Sequence, residues 1–405
     1  MASFQPKPYR LANTVQHYEW GTRNQNAFIP HFLGQKPEPD SPYAELWIGA
    51  HPKCPSEIWV DGKSTPLNLV ISTYPEDILG KQVSQKSGNQ LPFLLKVLSA
   101  GQALSIQLHP NKSQAEVLHR KDPKNYPDDN HKPEIAIALD HLTALAGFQP
   151  VASIQKNLIA NPEIGEFAGT TFTDAAISAK NEVAAENAIK KLYAAIMKKA
   201  EAKPELDRVI PKLVERLSSS NKKSPSESQF LTQHLRYGND VGLFSFFFFN
   251  LIELKAGQAI FTGAGIPHAY LDGNIVECMA NSDNVVRAGL TPKFKDVDTL
   301  LDIIVYQFGD FNLINSEQKT DQVIFKTEAA EFEITGFTKP SGFTSTFSSQ
   351  EKPSVFLVTE GKLSVSWPGG VEVFSKGDSF LIPACLGTAT LKSESQAAWY
   401  VVQIP

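Results

Sequence analysis

Cysteine is scarce: three residues in 405, Cys54, Cys278 and Cys385, odd in number, far apart and in no C-x-x-C pair. That excludes a disulfide framework and a thiolate metal site, and leaves reduced, partly buried side chains of the kind found in the cytoplasm. A basic excess is missing too. With 38 Lys and Arg against 43 Asp and Glu, the formal charge is −5, which argues against a general nucleic-acid binder. Any anionic ligand must be met by a few local Lys and Arg side chains. No apolar run is long. The most hydrophobic stretch, residues 241–254 with Phe246, Phe247, Phe248 and Phe249, is bounded by Asp240 and Glu253 and falls short of the about 20 apolar residues a membrane span needs. It reads instead as a strand buried on both faces. Lys7 and Arg10 are followed by no apolar stretch, so no secretory signal is expected. These absences point to a cytoplasmic protein that engages neither membrane nor nucleic acid.

What is present is mostly strand-like text. From residue 9 to 148 short apolar or alternating runs are separated by Pro, Gly and Asp turns, the pattern of a β-sandwich or jelly roll. Short helices are expected over residues 67–72 and from Ser113, whose hydroxyl is placed to cap the next turn. Between residues 151 and 236 the period becomes helical: residues 175–202 and 205–217 carry apolar positions at helix spacing, and Ser224-Pro225-Ser226-Glu227 reads as a capping box. Strands return at 241–287, a helix follows at 296–306, and β text resumes after 323. The expected architecture is mainly β with an α-helical insertion. Its units are 1–150 plus 241–320, the helical insertion 151–240, and a C-terminal β unit 321–405.

One stretch carries chemistry. In Leu104-Ser105-Ile106-Gln107-Leu108-His109-Pro110, Ser105, Gln107 and His109 alternate with apolar residues, so an extended strand turns all three to one face. In His131-Lys132-Pro133-Glu134 the proline can open a strand but not sit within one, placing Glu134 at a sheet rim. Gly265-Ile266-Pro267-His268 shapes a turn that delivers one imidazole onto a new strand. An isolated His on a strand is more often an ordinary hydrogen-bonded side chain than a ligand. Together, Gln107, His109, Glu134 and His268 offer four N and O donors to a borderline divalent ion, with coordination positions left for water or substrate.

Gln107-Leu108-His109-Pro110, His131-Lys132-Pro133-Glu134, Gly265-Ile266-Pro267-His268-Ala269-Tyr270-Leu271 and Ser282-Asp283-Asn284-Val285-Val286-Arg287-Ala288-Gly289-Leu290-Thr291-Pro292-Lys293 resemble, in order, the signature blocks of type I mannose-6-phosphate isomerases. Tyr18-Glu19-Trp20-Gly21 and Glu45-Leu46-Trp47-Ile48-Gly49 resemble that family's N-terminal blocks. The resemblance implies cupin-like jelly-roll barrels, one Zn²⁺ per chain, and aldose–ketose isomerisation of a small sugar phosphate through an enediol; ligand chemistry alone admits Mn²⁺ or Fe²⁺ as well. Arg287 matches the arginine regarded as catalytic in the family. A guanidinium stays protonated and makes a poor base, so the proton carrier is a separate question, open among Asp283, Lys132, His131 and Tyr270. By the same resemblance Ser105, Lys96 and Lys293 meet the phosphate, and Trp20 offers a wall to the sugar. For Lys96 a solvated edge-strand lysine is an equal reading, and for Trp20 core packing is the commoner one. A monomer is expected. A cupin-type metal oxygenase, with two His and one Glu about an open cation, and a non-catalytic sugar-binding cupin are the alternatives.

The segments Lys255-Ala256-Gly257-Gln258-Ala259-Ile260-Phe261 and Ser375-Lys376-Gly377-Asp378-Ser379-Phe380-Leu381 align as the glycine turn and strand of two related barrels. Nothing after Pro383 matches His268, so the second barrel is expected to lack a metal.

Overall fold

The computed structural model describes residues 4–314, 316–319 and 322–405. Its centre is a nine-stranded antiparallel sheet in which the long strands Glu134–Phe148 and His268–Ala280 lie side by side, flanked by Phe93–Ala100 and then Glu45–Gly49. The strands Ile106–Leu108 and Val286–Gly289 extend the sheet at one end of His268–Ala280. Seven-stranded and four-stranded sheets make up the C-terminal part. The fold is mainly β with a helical insertion, as expected, although the sheets are open rather than closed barrels.

Each face of the central sheet has its own task. Leu95, Val97, Ile135, Ile137, Val276 and Cys278 turn one way, into a core shared with Phe325, Phe332, Val355, Leu381 and Val402 of the C-terminal sheet. The alternate residues, Lys96, Glu134 and Glu277 among them, turn the other way. The Tyr9–Arg10 strand pairs with Ser379–Ile382, so the start of the chain is stitched to its end. Both segments of the internal alignment form a turn with a left-handed glycine, Gly257 at φ +81° and Gly377 at φ +89°, between two successive strands. There glycine alone escapes the steric cost of a left-handed residue.

The insertion contains the helices Glu182–Lys198, Lys203–Ser219 and Pro225–Tyr237. Ser224 Oγ accepts from the Glu227 amide while the Glu227 carboxylate accepts from Ser224 N–H, the reciprocal cap read from the sequence. Helix Lys112–Lys121 is capped two positions earlier than expected, by Asn111, because an amide oxygen there reaches the Gln114 N–H while the Ser113 hydroxyl donates back to Asn111. The helix expected over 296–306 spans Val297–Ile303 behind an Asp296 cap. The largest departure is at residues 241–254. Val241–Phe247 is a 3-10 helix, and the strand begins only at Phe249. Gly242 and Gly289 abut so closely that a Cβ on Gly289 would lie 2.3 Å from the Gly242 Cα, and Asp240 Oδ1 accepts from both Gly242 N–H and Leu290 N–H. That tight backbone meeting is incompatible with an extended chain there, and the four consecutive phenylalanines bury in the helical core instead.

Candidate metal centre

The strand Ile106–Leu108 sits between two partners. Gln107 is opposite His268 on one side and Arg287 on the other, and directly opposed residues of antiparallel strands share a face. The reverse face, Ile106, Leu108, Val286 and Ala288, packs into the core of the helical insertion. The polar stripe seen in the sequence is therefore one wall of a site, with Arg287 added to it by register.

His268 and Glu277 lie on one strand at positions of opposite parity, which a regular strand would turn to opposite faces. A register shift opposite Thr143 and Ala144 skips Leu271, and this bulge brings His268 and Tyr270 round to the face of Ile275 and Glu277. Three ligand atoms, from His109, Glu134 and His268, then lie within 4.8 Å of one another, all on buried residues. Glu134 Oε2 is 3.4 Å from His109 Nε2 and 3.2 Å from His268 Nε2, while Glu134 Oε1 is 2.7 Å from Lys132 Nζ.

The protons make the case for a cation. His109 Nδ1–H donates to the Asn284 carbonyl at 2.7 Å and His268 Nδ1–H to the Ile266 carbonyl at 2.9 Å, so in each neutral ring Nε2 carries a lone pair. Both Nε2 atoms are buried without a hydrogen-bond partner. Burial pushes the His109 imidazole down to about 4 despite the opposing pull of Glu134, so it is neutral at pH 7. Burial would raise the Glu134 carboxyl, yet Lys132 at 2.7 Å holds it well below the usual range. The His109 lone pair, an ionised carboxylate oxygen and the His268 Nε2, whose ring commits its Nδ1–H to Ile266, thus face one point. The edge of a tetrahedron with 2.0–2.1 Å metal–ligand bonds is about 3.3–3.4 Å, close to the 3.4 and 3.2 Å that separate Glu134 Oε2 from the two Nε2 atoms. The donor set fits a divalent ion of the zinc type, held by carbonyl-anchored imidazoles.

Behind Glu134 lies a second charged group that the sequence reading did not assemble. Lys96 Nζ is 2.9 Å from Glu277 Oε2 and 3.7 Å from Glu45 Oε2, over the Trp47 ring, and all three charged side chains are buried. Burial would strip the Lys96 proton, but Glu277 and Glu45 hold its pKa above the ordinary value. Burial raises the Glu277 carboxyl even against Lys96. It also raises the Tyr270 phenol, with the Glu277 carboxylate adding to the shift. Lys96 is thus not a solvated edge lysine: its ammonium is buried between two carboxylates. One signal was legible, since Lys96 in Phe93–Ala100 and Glu277 in His268–Ala280 are opposite charges in apolar runs, which must pair if both are buried.

The remaining candidates scatter. Asp283 is bonded to Lys53 at 2.8 Å and lies 3.7 Å from His51. His131 Nε2 meets Glu331 Oε1 at 2.7 Å, in the C-terminal part of the chain. Ser105 donates weakly to Gln107 Oε1 at 3.4 Å, Lys293 is exposed, and Trp20 packs against the cluster containing Tyr270. Arg287 is half-buried, and burial lowers its pKa.

The family model of the type I phosphomannose isomerase catalytic domain matches residues 9–151, and that of the family's helical insertion domain matches residues 164–249. Mannose-6-phosphate isomerase of Ogataea parapolymorpha is 36% identical over 96% of this chain and 96% of that protein. The chain belongs to the type I phosphomannose isomerases. A point variant of the Salmonella typhimurium enzyme superposes with a TM-score of 0.87 at 28% identity, covering 98% of this chain and 99% of that one. So does a structure described as zinc-bound mannose 6-phosphate isomerase, with the same identity, coverage and score. Family membership makes the two-His, one-Glu cluster the natural centre of the molecule; an oxygenase or a non-catalytic sugar-binding cupin has no support among these relatives.

Proposed function

We propose that this chain is a zinc-dependent isomerase interconverting mannose 6-phosphate and fructose 6-phosphate. The observation that carries the reading is the pair of partnerless Nε2 atoms aimed at Glu134 Oε2, in a chain whose relatives bear that activity in their names. We assign His109, Glu134 and His268 as zinc ligands, and Gln107, in register with His268, as the fourth. When bound, the ion supplies an electrophile for sugar oxygens and stabilises charge on an enediolate.

The chain's own residues account for the rest. Arg287 shares the site face and remains a cation, suited to neutralise developing negative charge without taking up a proton. Lys132, bonded to Glu134 Oε1, orients that carboxylate and leaves Oε2 for the ion. The proton that moves between C1 and C2 needs a side chain that can take it up and return it. Glu277, its carboxyl raised by burial and flanked by Lys96 and Tyr270, is the group we assign. His131 is hydrogen-bonded to Glu331 and Asp283 is paired with Lys53 instead. Lys293 and Ser105 are left to meet the phosphate, with Trp20 on the sugar side.

The same reading covers organisation and setting. We take residues 1–150 with 241–320 as the catalytic unit, 151–240 as the helical insertion and 321–405 as a metal-free β unit. Every assigned ligand comes from one chain, which supports action as a monomer. Three free cysteines support a reducing cytoplasm, and no helix among the described residues is long and apolar enough to cross a membrane.

The test is a coupled assay of mannose 6-phosphate conversion. Activity lost to a chelator and restored by Zn²⁺ supports the reading; full activity in metal-free protein defeats it.

A further inference from the structure

The segment that delivers Lys132 and Glu134 to the centre is held from outside the catalytic sheet. Its first half, residues 128–130, is tied to residues 281–284. Asp128 accepts from Ser282 Oγ, Asp283 N–H and the Asn284 amide, and the Asn130 carbonyl accepts from Ser282 and Asn284. The same Asn284 presents its carbonyl to His109 Nδ1–H. Beside this network runs a cavity of about 680 Å³ whose lining includes Asp128, Asn130, Asn281, Asp283 and Glu331, so side-chain packing alone does not fix the segment there. At its far end His131 Nε2 donates to Glu331 Oε1 at 2.7 Å. Glu331 immediately precedes the buried Phe332 and the strand Glu333–Lys339, a rigid mount belonging to the C-terminal sheet. Only Lys132 and Pro133 separate His131 from Glu134. The proline's ring fixes its φ, so little slack exists to absorb a displacement of His131.

We propose that Glu331 is a positioning residue for the metal centre: by holding His131 it fixes the segment that aims Lys132 and Glu134 at the ligand point. This gives the C-terminal sheet, which brings no ligand of its own, a direct part in metal retention. The proposal rests on the assignment of Glu134 as a zinc ligand.

The experiment uses full-length, zinc-loaded protein and measures transfer of zinc to a coloured chelator, the melting temperature, and kcat and KM separately. Glu331→Ala is expected to release zinc about tenfold faster, the size of effect seen for groups that orient metal ligands, and to lower kcat with KM little changed. Glu331→Gln, whose amide oxygen still accepts from His131, is expected to restore most of the retention. The control is Arg10→Ala, which breaks the ion pairs to Glu372 and Asp378 that also tie the chain's start to the C-terminal sheet but touches nothing near His131. It is expected to release zinc at the wild-type rate even if it melts as early as Glu331→Ala. If Glu331→Ala does not fold, His131→Phe, which keeps a ring and loses the nitrogen, is measured in the same way. Wild-type release from Glu331→Ala, or equally fast release from Arg10→Ala, overturns the proposal. Wild-type protein that binds no zinc would instead defeat the ligand assignment itself.

Discussion

Replacing Lys96 by Met tests whether the buried cation is a strut for two carboxylates or a hand for the substrate. Met nearly matches the lysine stem in shape, so little cavity is made, and the change removes charge from a site where Glu277 and Glu45 lie 2.9 and 3.7 Å away. Breaking a buried ion pair by deleting one partner costs about 3–5 kcal/mol. The loss has a pH signature. In Glu277, folded-state burial already raises the carboxyl, and without Lys96 it rises further. A group whose folded pKa is raised favours the fold fully below its unfolded pKa and loses that contribution as pH rises through the folded value. The variant should therefore lie closest to wild type near pH 4 and fall away towards pH 8. Adding Glu277→Gln should recover part of the stability at pH 8, because one uncompensated charge is removed. Denaturant melts of the three proteins at pH 5 and pH 8 give the comparison, and KM for mannose 6-phosphate is read alongside. A pH-independent loss below about 1 kcal/mol would refute the ion-pair account, since it falls under the range for a broken buried pair. A large rise in KM with unchanged stability would return Lys96 to the phosphate.

Three further outcomes are expected. His268→Ala should purify with little metal, whereas Arg287→Ala should keep its metal and lose turnover by roughly 10²–10³, the cost of removing one group that stabilises transition-state charge; metal analysis beside kcat separates them, and full occupancy in His268→Ala would end the ligand assignment. Gly289→Ala should destabilise the fold by about 1–3 kcal/mol through overpacking, because the new Cβ meets the Gly242 backbone; wild-type melting would show that the two segments can part. His141, exposed, has its pKa raised chiefly by its bond to Asp272. It should lend a small stability that is complete below about pH 6.5 and fades as pH rises through the folded value, and Asp272→Asn should flatten that slope in thermal melts.

The centre was legible where a residue's neighbours made its direction unambiguous. Gln107 and His109 alternate with apolar residues, Pro133 forces Glu134 to a strand start, and Pro267 forces His268 to another; the structure places these segments as those constraints require. Glu277 was missed because its direction depends on the bulge at Leu271, a one-residue shift that leaves no mark in composition. Phosphate contact was expected of Lys96 by resemblance, and a resemblance does not reveal that Glu45 and Glu277 converge on it from two other strands. The stretch 241–254 misled for a related reason: its hydrophobicity correctly announced burial, but whether a buried run is strand or turn was decided by Gly289, some 40 residues on, pressing against Gly242.

The helical insertion divides the centre in the order of synthesis. His109 and Glu134 precede it, while His268 and Arg287 follow it, and they meet only when the His268–Ala280 strand slots between Glu134–Phe148 and Phe93–Ala100. Such a distant pairing forms late, after loop-closure entropy has been overcome. A chain emerging from the ribosome therefore carries three of the four assigned ligands, lacking only His268, through the whole growth of the helices. The ion can be captured tightly only once that last strand has zipped in, which ties metal loading to the completion of folding.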